Sequence, residues 1–257
     1  MKKFKEINKF RSISILILVL TLFLSNVVFG APATISYKIV STSDKGGIVF
    51  QSEEVAADTD ETYFDVLQRI CSDNGIPLDA SGSGAGTYVR GINGEYEMRY
   101  LPNEDYYSGW MFRVNNVLHG YSAGDPANSK VSEGDKITWY YACPSYTYFP
   151  ILDDNDIDFD SSGNMIINVE AEIFEDVWNW QIITVPLDEG RAVLEDDSGN
   201  KIYATINDGE AVFNETNLKK FKGKNVKAYV EGKWYGETEN PDHCPKIVKS
   251  EIVRVQL

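Results

Sequence analysis

The chain has 257 residues, of which 39 are acidic and 24 basic, giving a formal net charge of -15, and 12% are aromatic. An acidic surface repels phosphate backbones and anionic lipid heads, whose binding relies on Lys and Arg, which argues against a nucleic-acid partner. The aromatic content argues against a disordered chain, and the length suits two folded modules.

The N-terminus combines Lys2, Lys3, Lys5, Lys9 and Arg11 with an apolar run from Ile15 to Leu24 and small residues around Gly30 and Ala31. That order is the order of a secretory signal peptide. The run is half the length of the roughly twenty apolar residues that span a bilayer. Residues 1–30 are therefore expected to be a cleaved leader and the mature protein to be secreted, without a membrane span. Cleavage after Gly30 and cleavage after Ala33 both suit the small-residue pattern. Loss of residues 1–30 removes five basic residues and Glu6, which takes the net charge from -15 to -19.

Residues 34–40 alternate apolar and polar side chains, and Ile48, Val49 and Phe50 resume the pattern after Asp44-Lys45-Gly46-Gly47, predicting a β-hairpin. Thr62 precedes Phe64, Val66, Leu67 and Ile70 at helical spacing, and Asn74-Gly75 stops the run. One amphipathic helix is predicted there, capped near Asp60 or Thr62. Residues 80–86 read as a Ser/Gly loop and 88–100 as a second hairpin around Asn93-Gly94. Residues 110–114, an Asn115-Asn116 turn, 117–119 and 136–142 supply further strands, an α+β order.

From Pro144 to Gly163 prolines and tyrosines give way to Asp153, Asp154, Asp156, Asp158 and Asp160, which reads as an acidic linker. Residues 165–172, 178–185, 192–195, 201–205, 211–213, 226–230 and 247–255 are strand-like at short intervals. A second module over 164–257 is expected to be an all-β sandwich of immunoglobulin-like type. Cys71, Cys143 and Cys244 are too few and too scattered for a disulfide framework or a zinc knuckle. A Cys71–Cys143 bridge and buried free thiols are the alternatives.

Four pieces in the first module occur in a distinctive order: Thr62-Tyr63-Phe64-Asp65-Val66-Leu67, Gly109-Trp110-Met111-Phe112-Arg113-Val114-Asn115, Gly120-Tyr121-Ser122-Ala123, and Glu133-Gly134-Asp135-Lys136-Ile137. Together they resemble the C-terminal domain of transcobalamin and intrinsic factor, a module also found as a domain of unknown function in many bacterial surface proteins. The resemblance spans about residues 34–142. It implies a ubiquitin-like β-grasp fold over residues 34–143 and membership among domains that bind soluble ligands. It also implies that Trp110 and the turn Leu118, His119, Gly120 and Tyr121 face a ligand, cobalamin in the vitamin B12 carriers. An indole and backbone carbonyls suit an apolar disc fringed with amides. Asn116 departs from the glycine usual at its position. The competing reading places Trp110 in the core beneath the helix and makes Gly134-Asp135 a turn.

His119 is either a hydrogen-bond donor or cobalt ligand at such a site, or an exposed loop residue. His243 adjoins Cys244 with no third orienting group in view, so no catalysis is assigned to that pair. Asp154, Asp156, Asp158 and Asp160 alternate as in the opening of a calcium loop, though without its sixth-position glycine or late glutamate. A solvated acidic linker is the alternative. The sequence contains no Gly-x-Ser-x-Gly, His-Glu-x-x-His or phosphate-binding glycine loop. The expectation is a non-enzymatic protein that binds a small soluble ligand, a corrinoid among the candidates, with cell-surface adhesion to glycan or protein as the alternative function.

Overall fold

A computed structural model describes residues 30–41, 47–99, 107–144, 146–177, 179–232 and 246–257. The expected leader, the Asp44-Lys45-Gly46 turn and the His243-Cys244 pair lie outside the described residues. The described residues are mostly β-sheet with few helices, and among them no helix is long and apolar enough to cross a membrane.

In the first half, strand β1 (Pro32–Val40) pairs antiparallel with β2 (Ile48–Asp58) and parallel with β9 (Lys136–Ala142), from Ser36↔Lys136 to Val40↔Tyr140. Strand β7 (Tyr107–Val114) pairs antiparallel with the other edge of β9, and β6 (Met98–Arg99) with β7. The order is β2-β1-β9-β7-β6, with β8 (Val117–Leu118) folded back on β7. Asn115 and Asn116 make that tight turn with φ of 52° and 65°. Asparagine tolerates this left-handed region better than most side chains, so the missing glycine is replaced by the next best residue.

Helix α1 (Tyr63–Asp73) follows β2, and its apolar face, Tyr63, Phe64, Val66, Leu67, Ile70 and Cys71, is buried against the sheet. Thr62 caps it: its Oγ1 accepts from the Asp65 N–H while the Asp65 carboxylate accepts from the Thr62 N–H, leaving two terminal donors satisfied. Gly75, with φ of 64°, takes the chain out. A small sheet, β3 (Leu78–Ser81), β4 (Tyr88–Ile92) and β5 (Glu95–Tyr96), comes next. Its second hairpin turns at Asn93-Gly94, and the expected Ser/Gly loop begins only after β3, as a 3₁₀ turn over Gly84–Gly86.

The acidic stretch after Pro144 carries paired strands. β10 (Phe149–Ile151) pairs with β13 (Glu170–Asp176), and β11 (Ile157–Phe159) with β12 (Met165–Asn168). Phe149 and Leu152, just ahead of the carboxylates, are buried, so the apolar residues of the stretch decide the local structure. The run expected as one strand over 165–172 divides at Val169, whose N–H donates to the Gly209 carbonyl, and the chain passes from one sheet to the other. One sheet is β10-β13-β14 (Gln181–Pro186), and the other is seven-stranded. Its order is β11, β12, β17 (Glu210–Phe213), β16 (Lys201–Asn207), β15 (Arg191–Asp196), β18 (Asn225–Glu231) and β19 (Val253–Gln256). Met165, Ile167 and Leu194 from the larger sheet share one core with Ala171 from the smaller. A one-turn helix, α2 (Glu215–Leu218), closes the end. Ile247, expected in the last strand, instead bridges Tyr148, and the strand begins at Val253.

The two halves meet on the face of the first sheet opposite α1. There Val40, Tyr140 and Ala142 pack with Phe149 and Val248. Two cations are buried in this contact. Lys38, 4% exposed, reaches Glu251 at 2.9 Å and donates to the Ser250 carbonyl at 2.9 Å. Arg113, 2% exposed, reaches Glu172 at 2.5 Å and lies 4.1 Å from the centre of the Phe149 ring. Strand β9 is thus covered on both faces, which is why its sequence, Lys-Ile-Thr-Trp-Tyr-Tyr-Ala, lacks the alternation of a half-exposed strand.

Candidate functional site

Strand β7 sends Phe112 and Val114 into the core beneath α1 and Arg113 toward the second half, because neighbouring side chains in a strand point to opposite faces. Phe112 stacks on Trp139 of β9, with ring centroids 5.2 Å apart, and this pair forms the floor of a cleft of about 230 Å³. Trp110 stands on one wall. It is half-buried, its edge meets Tyr141 at 5.7 Å, and its Nε1–H donates to the Glu95 carbonyl at 2.9 Å. The expected alternatives for this residue meet in one position, since Trp110 packs against the core and borders the cleft at once.

The opposite wall is the segment after β8. Leu118, His119, Gly120 and Tyr121 all border the cleft, so the structure brings the five expected ligand-facing residues together. His119 and Tyr121 stack with centroids 4.6 Å apart and planes inclined by 23°. Burial lowers the His119 pKa from its usual value, the neighbouring Arg113 guanidinium adds to this, and Asp135 opposes it. The imidazole is therefore neutral at pH 7. Burial, followed by Asp135 and Asp125, raises the Tyr121 pKa, so its hydroxyl stays protonated.

Several lining residues were not identified from sequence. Thr87 and Tyr88 approach from the start of β4, and Trp180 comes from the second half. Ser122 Oγ donates to the Thr87 carbonyl at 2.8 Å, and a Cβ on Gly124 would lie 2.3 Å from Thr87 Oγ1, so the two segments meet closely. The Ser/Gly composition before Thr87 hinted at such an approach. Trp180 is sixty residues away, and no local signal marks it.

Among the described residues, no Asp, Glu, Lys or Arg borders the cleft. The walls are apolar and aromatic, with a few polar tips, as in sites for organic ligands. The other signature residues hold the fold. Asp135 accepts from the Ser132 N–H at 2.8 Å, Asn115 Nδ2 at 3.0 Å and the Tyr63 hydroxyl at 3.5 Å. Glu133 accepts from the Thr34 N–H at 2.7 Å. The Phe64 N–H donates to the Ala123 carbonyl, linking the start of the helix to the cleft wall.

The calcium-like run does not form a ligand set. Asp156 accepts from the Asp153 N–H at 2.7 Å in a 3₁₀ turn, and Asp160 holds the next turn through Asn164 and the Ser162 N–H. Between them the chain runs out as β11, where alternate residues lie about 7 Å apart along the strand. Calcium oxygens must all lie about 2.4 Å from one ion, which requires the chain to wrap. Asp154, Asp156, Asp158 and Asp160 accordingly do not converge, and among the described residues no group of three or more His, Cys, Asp or Glu side chains does. Cys71 is a free thiol on the buried face of α1, so the Cys71–Cys143 bridge is not formed.

No curated protein matches the chain. Residues 60–142, from the start of α1 through β9, match the family described as a domain of unknown function, DUF4430.

Proposed function

We propose that this is a secreted, non-enzymatic binding protein that takes up a small soluble ligand in the cleft between Trp110 and the His119–Tyr121 stack. In this reading the first half is a β-grasp module of the transcobalamin C-terminal type, and the second an immunoglobulin-like sandwich. The mixed sheet with a central parallel β1–β9 pair and one helix after the first hairpin supports the former assignment. Two facing sheets around one core support the latter.

The observation that carries the functional reading is the meeting of Trp110, Leu118, His119, Gly120 and Tyr121 around one cleft that, among the described residues, has no charged side chain in its lining. Its volume of about 230 Å³ lies below the roughly 300–1,000 Å³ of pockets that engulf a drug-sized molecule. A flat ligand presenting one face fits this better than one swallowed whole, and a corrinoid has that shape. The test is to titrate the mature protein with cobalamin and cobinamide while recording the corrin absorbance and the melting temperature. A spectral shift with stabilisation is expected. No change in either at high micromolar ligand rejects the corrinoid.

A further inference from the structure

The cleft does not belong to the first half alone. Trp180 lies in the short connection between β13 and β14 and borders the cleft. Its Nε1 would lie 3.7 Å from a Cβ placed on Gly120, an ordinary contact distance, so the indole rests beside the turn that carries His119 and Tyr121.

Two features of Trp180 are unusual for a residue with only a structural role. It is 47% exposed, which leaves much of a large apolar ring in water. Its φ is 54°, in the left-handed region that bulky side chains rarely adopt. The described residues of the connection make several contacts. Asp176 accepts from the Asn179 N–H at 3.0 Å and Asn179 Nδ2 at 2.7 Å, the Trp180 N–H donates to the Val177 carbonyl, and the indole meets Phe174 edge-on at 5.1 Å. A strained backbone held by its surroundings, presenting an exposed aromatic ring at a cleft, is the arrangement found at ligand clamps.

We infer that Trp180 is a ligand-contacting residue and that the two halves form one composite site, selective for a planar, conjugated, uncharged group held between the Trp180 indole and the aromatic wall of the first half. This rests on the cleft being a ligand site, as proposed above. The planar and conjugated character follows from the aromatic lining, Trp110, Phe112, Tyr121, Trp139 and Trp180, whose rings attract a flat π-system. The absence of charge follows from a lining that, among the described residues, holds no ionised side chain. An anion entering the cleft would lose its hydration without gaining a cation, inside a protein of net charge -15.

Two probes on one aromatic scaffold test this: phenylnaphthylamine, which is neutral, and its sulfonated analogue, anilinonaphthalene sulfonate. Fluorescence titration is applied to the mature protein and to Trp180→Ala, Trp180→Phe and Tyr121→Ala variants, with melting curves to establish folding. The neutral probe should bind more tightly than the sulfonated one. Trp180→Ala should weaken it on the order of tenfold, the size of a lost aromatic contact, and Trp180→Phe should recover most of the loss. Weakening by Tyr121→Ala with no effect of a folded Trp180→Ala variant overturns the composite site and leaves the cleft as a ligand site. No binding of the neutral probe, or binding unmoved by any of the variants, overturns both. Equal or tighter binding of the sulfonated probe overturns the selectivity for an uncharged group.

Discussion

Arg113 projects from the face of the first sheet that meets the second half and reaches Glu172 at 2.5 Å, with its guanidinium over the Phe149 ring. The same residue contributes to the low pKa of His119 near the cleft. One buried cation thus takes part in both the junction and the site.

A buried cation that loses its partner is left uncompensated, which costs about 3–5 kcal/mol. Glu172 keeps partial access to water, so Glu172→Leu should destabilise by about 3 kcal/mol, the low end of that range. The double replacement Arg113→Met with Glu172→Leu should recover most of it. Urea unfolding of the three proteins measures the difference, and equal midpoints for Glu172→Leu and the double variant would contradict the account.

The pH dependence of the His119 wall has a definite sign. Its folded-state pKa is lowered, so as pH falls through the unfolded value of about 6.5 the unfolded chain takes up the proton first and the folded state loses stability. Above that value the group has no effect. An NMR titration should give His119 a pKa below 6.5, and replacing it with Gln should flatten the stability profile between about pH 6.5 and the folded-state pKa. A value at or above 6.5 would show that the ring is not desolvated.

Glycines 120 and 124 flank the same wall and should respond unequally to Ala. At Gly124 the new Cβ would meet Thr87 Oγ1 at 2.3 Å, Thr87 Cβ at 2.8 Å and the Gly84 carbonyl at 3.1 Å, so rotating the threonine does not relieve it. A loss of about 1–3 kcal/mol is expected, as for an overpacked interior. At Gly120 the nearest atom is at 3.7 Å and the residue is exposed, so the change should fall within about 0.5 kcal/mol. Similar melting temperatures for the two variants would disprove the close approach.

Burial pushes the Cys71 thiol up to about 11. At pH 8 almost none is thiolate, the reactive form. Cys71 should therefore resist a maleimide in the native protein and react in denaturant, with mass spectrometry locating the adduct. Rapid native labelling would place the thiol outside the core.

Much of the first half could be read from sequence because its signals are local. The Thr62 cap, the apolar spacing of α1 and the stop at Gly75 each act within one helical turn. The Asn93-Gly94 and Asn115-Asn116 turns declare themselves through residues that accept positive φ. The wall from Leu118 to Tyr121 was reached only through the family-like motif, since nothing in four residues shows what they will face. What escaped depends on distant partners. Apolar alternation continues through Val169 although the chain changes sheets there. Phe149 and Leu152 stand between a Pro- and Tyr-rich stretch and the carboxylates that begin at Asp153, without a period that marks them as buried. Trp180 acquires its place only when the second half docks beside Gly120.

The parallel pairing of β1 with β9 has a kinetic consequence. Ser36 lies beside Lys136, so a hundred residues must be in hand before the first sheet can close. Long loops of this kind slow folding, because the entropy of closure is lost before any contact is gained. The segment shared with the domain family starts after β2 and contains neither β1 nor β2. A protein cut to that segment would leave β9 with an open hydrogen-bonding edge where β1 belongs, and such edges recruit other chains. The shared segment is therefore smaller than the unit that folds. During synthesis the N-terminal hairpin must wait, with one edge unpaired, for the strand that completes its sheet.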